Sequence, residues 1–209
     1  MFRFIKEKKV IMRKIFFILL ICLSAMSVKA DERSQAVLRR VAEYVKALGE
    51  YDAHFSVVAG DYTTQGRYSV AGDAYHIVVD QAEVYSDGKS RYEVDHDRKE
   101  VNIDEMDVNN RNIMDNPTRC FDFVGDEYAS TVWTELGENV TLLLRANDTA
   151  LEGDIYLTVN RNNGRPNRIV YVLYEDRIEV DITSLERRKG AMPKFEASKY
   201  REYEIVDFR

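Results

Sequence analysis

The densest collection of groups able to do chemistry lies in Tyr85–Val101, "YSDGKSRYEVDHDRKEV", with Asp87, Asp95, Asp97, Glu93, Glu100, His96 and four Lys/Arg. Asp95, Asp97 and Glu100 could hold a hard cation, but the stretch lacks the glycine and the run of oxygen donors that a calcium loop needs. Alternation puts Tyr92 and Val94 on one side of a strand and Arg91, Glu93 and Asp95 on the other, with Asp87-Gly88 as a hairpin turn. The charges then read as a solvated face whose mixed signs oppose edge-to-edge pairing.

Chemistry elsewhere is sparse. His54, His76 and His96 fall where alternation predicts outward-facing residues, unpaired with carboxylates, and no His-x-x-x-His spacing is present. Neither a Gly-x-Ser-x-Gly elbow nor a phosphate-binding glycine loop occurs. Cys120, in "RCFDF", reads as an inert buried thiol rather than a nucleophile. No catalytic residue, metal ligand or cofactor is expected.

The elements that must position any site begin after residue 30. Residues 1–30 carry basic residues, the apolar run Ile15–Leu23 and small residues ending at Ala30, the pattern of a secretory signal cleaved in "SVKA|DERS". Cys22 follows Ile21, where a lipoprotein signal would have a small residue, so no lipid anchor is expected. The segment holds seven Lys/Arg and one Glu; the remaining 179 residues carry 23 basic and 35 acidic side chains, a formal charge of −12. So acidic a surface excludes nucleic acid as a partner. Cys120 alone remains, which rules out an internal disulfide.

Residues 31–209 read as a single domain. Val37, Leu38, Val41, Val45 and Leu48 recur at helical spacing, with Ser34 expected to cap the helix and Gly49 to end it. The period then shortens to two. Tyr51, Ala53, Phe55, Val57 and Ala59 share one side; so do Tyr75, Ile77 and Val79, and Val101 and Ile103. Ile155, Leu157 and Val159 are answered by Ile169, Tyr171 and Leu173 across Asn163-Gly164. About ten strands of ordinary length fit. The stretch "NNRNIMDNPTRCFDFVGDEY", with Ile113, Met114, Phe121 and Phe123, reads as short helical turns. The class is mainly β with few helices: either a sandwich filling its own core, or an unclosed antiparallel half-barrel under a helical lid.

The series "YDAHFSVV", "GRYSVAGDAYHIVV", "EVYSDGKSRYEVDHDRKEVNIDEMD", "NPTRCFDF" and "PKFEASKYREYEIVDFR" resembles the LolA-like outer-membrane lipoprotein carrier family of Gram-negative bacteria. The resemblance implies an unclosed antiparallel half-barrel with a helical lid and a periplasmic location. Its implied task is to shield lipoprotein acyl chains and shuttle them from an inner-membrane releasing complex to an outer-membrane acceptor, as a monomer and with no bond made or broken. The family's Arg-Pro pair ahead of an aromatic strand is Gly72-Asp73 here; the aromatic carries over to Tyr75. The expected cavity residues are Phe55, Tyr68, Tyr75, Ile77, Val79, Tyr92, Leu142, Leu144, Ile155, Leu157 and Leu173, with Val41, Val45, Ile113 and Phe121 in the lid. Two alternatives accompany this reading: a lipid-binding envelope sensor with a protein partner, and an enzyme acting on a glycan or lipid.

Overall fold

The computed structural model describes residues 31–108, 117–125, 127–147 and 153–209; the expected signal (1–30), Ile113 and Met114 lie outside them. Among the described residues no helix is long and apolar enough to cross a membrane.

Helix α1 spans Glu32–Leu48, and Asp31, not Ser34, caps it: the Asp31 carboxylate accepts from the Arg33 amide. Asp31 stands one residue before the first helical turn, where a side-chain acceptor can reach the free amides. Gly49 ends the helix at φ 70°, the left-handed region that glycine enters at little cost.

Twelve strands follow among the described residues: β1 Tyr51–Ala59, β2 Tyr62–Ala71, β3 Ala74–Val79, β4 Ala82–Ser86, β5 Ser90–Asp95, β6 Glu100–Glu105, β7 Tyr128–Leu136, β8 Asn139–Ala146, β9 Asp154–Asn160, β10 Pro166–Leu173, β11 Asp176–Arg187 and β12 Glu204–Asp207. They form one unclosed sheet in the order β12-β6-β5-β4-β3-β2-β1-β11-β10-β9-β8-β7, antiparallel except where β12 runs parallel to β6. Of the two expected architectures, the half-barrel is the one formed. The 107–127 connection carries the chain from beside one edge to the other, with a 3-10 turn at Pro117–Arg119.

The face against which α1 packs is the inner face. Its core joins Leu38 and Val41 to Tyr51, Tyr68, Tyr75, Phe121, Phe123, Leu142, Leu144, Leu157 and Val159, all nearly or wholly buried. A second apolar cluster, Tyr85, Val94, Val101, Ile103 and Tyr200, occupies the opposite, outer face. The register explains both: Tyr75, Ile77 and Val79 alternate onto the inner face, while His76, Tyr85, Tyr92 and Ile103 align across β3–β6 on the outer one. Chain segment 188–203 crosses the outer face and leads into β12.

Candidate functional site

Two rows of cross-strand neighbours define the inner face. Leu142, Leu157, Ile169, Val180 and Val57 align through five strands; Leu144, Ile155, Tyr171, Ile178, Ala59 and Tyr62 align through six. The second row is sealed at one end and open at the other: Leu144 is 0% exposed, Ile178 38% and Tyr62 50%. Leu173, 42% exposed, stands beside that opening at the end of β10. Away from the helix, the sheet thus presents an apolar mouth continuous with the core.

The expected cavity residues divide by position. Tyr68, Tyr75, Leu142, Leu144, Ile155 and Leu157 belong to the packed inner core, where side chains have no surface to offer a ligand unless the cover moves. Phe55 and Ile77 are half-buried against that core, and Val79 is half-buried beside them. Of the lid, Val41 and Phe121 are buried and Val45 packs partly against the core. Two expectations are corrected. Tyr92 is on the outer face, stacked on Phe195 with ring centroids 4.4 Å apart, because the β4–β5 hairpin pairs it with Tyr85. Leu173 shares the inner-face alternation but is exposed at the rim, since β10 turns immediately after it. Val57, Ala59, Tyr62, Ile178 and Val180 complete the mouth and were missing from the expected set. Their signal was the alternation of β1 and β11, obscured at β11 by a register shift opposite His54/Phe55.

The inner face changes character at β5 and β6. Arg91 pairs with Glu93 at 2.9 Å and lies 3.9 Å from Asp104, so the charges expected on a wholly solvated face flank the end of the apolar one. Cys120 contacts the Tyr51 and Tyr68 side chains, and burial pushes its thiol up to about 12, too high for a nucleophile. Burial likewise raises Tyr75 to about 12 and Tyr51 and Tyr68 well above the ordinary tyrosine value.

The histidine expectation is overturned in part. His54 is exposed, but His76 is only 2% exposed, and both His76 and His96 pair with one carboxylate. Glu83 Oε1 lies 2.6 Å from His76 Nε2 and accepts from Tyr85 at 2.7 Å; its Oε2 accepts from Tyr200 at 3.1 Å and lies 3.3 Å from His96 Nε2. His96 Nδ1 meets the Tyr203 hydroxyl at 2.9 Å. Alternation assigned His76 to water because segment 188–203, distant in sequence, is what covers it. No group of three His/Cys/Asp/Glu among the described residues has the geometry of a metal site.

No family model and no curated protein sequence matches the chain. Solved structures do. An uncharacterized conserved protein from Thermus thermophilus is similar with a TM-score of 0.57 at 10% identity, covering 84% of this chain and 99% of that one. The LolA superfamily protein NE2245 from Nitrosomonas europaea gives 0.40 at 11%, covering 76% and 94%. The Pseudomonas aeruginosa MucA/MucB complex structure gives 0.40 at 17%, covering 83% of this chain and 63% of that one. These likenesses concern fold alone: an unclosed, mainly β half-barrel with a helix on its inner face.

Proposed function

We propose that the protein is a periplasmic carrier that takes up the acyl chains of lipoproteins, or of a related amphiphile, in the open half-barrel and shuttles them towards the outer membrane. The observation that carries this reading is the aliphatic and aromatic row from Leu144 to Tyr62, buried at Leu144 and exposed at Ile178 and Tyr62. An acyl chain laid along it leaves water at a gain of about 0.8 kcal/mol per methylene. Because the deep positions are already filled, deeper entry requires α1 and the 117–123 segment to yield, which makes uptake reversible and tunable. An inner-membrane releasing complex and an outer-membrane acceptor are the partners this task requires; it needs neither cofactor nor catalytic group. The clustered carboxylate and histidines that a hydrolytic enzyme would need in the cavity are on the outer face instead.

A lipid-binding envelope sensor is the second reading. It is favoured by β7, an edge strand whose outer half carries Trp133 at 57% and Leu136 at 82% exposure, a surface suited to a protein partner. Titrating the exported chain with a fluorescent fatty-acid analogue tests the lipid site common to both: saturable binding, displaced by a diacylated lipid, is expected. Absence of binding would overturn both readings.

A further inference from the structure

We infer that the Glu83 cluster is an acid-operated latch, which releases the C-terminal strap (residues 188–209) from the outer face while the helix-covered inner face stays folded. The inference is independent of what the inner face carries.

The strap is fixed at few places. Arg188 pairs with Asp52 of β1, Phe195 stacks between Tyr92 and Tyr200, β12 adds to β6, and Arg209 donates to Ser90 Oγ at 3.0 Å. The Arg188 amide also donates to the Glu50 carbonyl, Glu202 lies 3.7 Å from Lys99, and the Tyr200 and Tyr203 hydroxyls both end on the Glu83–His96 pair, Tyr200 also meeting the Tyr85 hydroxyl at 3.1 Å. One carboxylate therefore ties β3 through His76, β4 through Tyr85, the β5–β6 turn through His96, and the strap through Tyr200.

This arrangement is built for neutral His76. With its proton on Nε2 shared with Glu83, Nδ1 is a buried atom without a partner. A second proton would create a buried donor with no acceptor, in the field of the cations Arg67 of β2 and Arg188 of the strap, the latter paired with Asp52 of β1. Burial accordingly lowers His76 from the ordinary 6.5, and Arg67 and Arg188 lower it further, against the raising effect of Glu83. For Glu83, burial raises the pKa, but hydrogen bonds from Tyr85, His76 and Tyr200 outweigh it and hold the carboxyl below its usual value. Both native values are depressed, so opening the strap takes up protons. The closed state is fully favoured above about pH 6.5 and loses ground as pH falls towards the native His76 value, and again as Glu83 protonates. Each proton bound on opening shifts the equilibrium up to about tenfold per pH unit within its window.

Hydrogen exchange on the full chain at pH 7.5, 6.5 and 5.5, corrected for intrinsic rates, tests this. Amides of residues 195–207 should lose several-fold, up to about tenfold, of their protection between pH 7.5 and 5.5, while those of Leu142 and Leu157 keep theirs. His76→Gln, which retains a donor towards Glu83, should abolish the pH dependence. Tyr200→Phe, which keeps the ring and removes the hydroxyl, should lower strap protection several-fold already at pH 7.5. Parallel loss in strap and β8–β9 amides, no change with pH, or full strap protection in Tyr200→Phe would each overturn the latch.

Discussion

The Ser34 hydroxyl in the first turn of α1 lies 2.7 Å from the Ser130 hydroxyl of β7, and both side chains are fully buried. Ser34 also donates to the Ser130 carbonyl at 2.9 Å, and Gln35 Nε2 reaches Ser130 Oγ at 3.0 Å. The helix that covers the inner face is thereby pinned to an edge strand of the sheet. Ser34→Ala removes the hydroxyl bonds that join the helix to the edge strand, at a cost of about 1 kcal/mol. Thermal denaturation followed by circular dichroism should show Tm falling by several degrees. Uptake of the fatty-acid probe should become faster because the cover is looser.

At the mouth, Leu173→Asp and Ile178→Asp should separate binding from folding. Both positions are more than a third exposed, so the chain should stay folded with a stability loss of about 1–2 kcal/mol. A carboxylate in the path of an acyl chain should weaken probe binding tenfold or more. Leu157→Glu, at 0% exposure, should instead unfold the chain, which chemical denaturation distinguishes from a simple binding defect.

Gly66 in β2 has no room for a side chain: a Cβ there would run into the Phe55 ring and lie 2.9 Å from the Val78 carbonyl oxygen. Gly66→Ala should cost about 1–3 kcal/mol by displacing Phe55. Adding Phe55→Leu should restore part of the loss, measurable as a double-mutant cycle in urea.

Cys120 reports on the cover. Its thiol is raised to about 12 by burial, so at pH 8 alkylation should be much slower than in the unfolded chain. Saturating lipid that displaces the 117–123 segment should accelerate alkylation by iodoacetamide.

The strand framework was legible because two-residue alternation and Asp-Gly or Asn-Gly turns are local signals; the pairings of Ile155 with Tyr171 and Leu157 with Ile169 follow from them. What alternation cannot say is which face a distant segment covers. Tyr92 looked like part of the same apolar face as Tyr75, yet the two point to opposite sides because the register of β3–β5 alternates between them. His76 looked wet for the same reason: its cover comes from residues more than a hundred positions later. Asp31 rather than Ser34 caps α1 because the helix begins at Glu32, which places Ser34 inside the first turn, where it meets Ser130, a contact no local pattern encodes. The buried set Leu142, Leu144 and Leu157 was recognisable as apolar and inward, but a filled core and a ligand wall share one pattern.

The carrier reading is tested most directly by adding purified residues 31–209 to spheroplasts of the parent cell and assaying the supernatant for newly made triacylated lipoproteins. The account predicts their release in a one-to-one complex with the protein, lost in Ile178→Asp. A supernatant free of lipoprotein, with the protein folded and in excess, would contradict it.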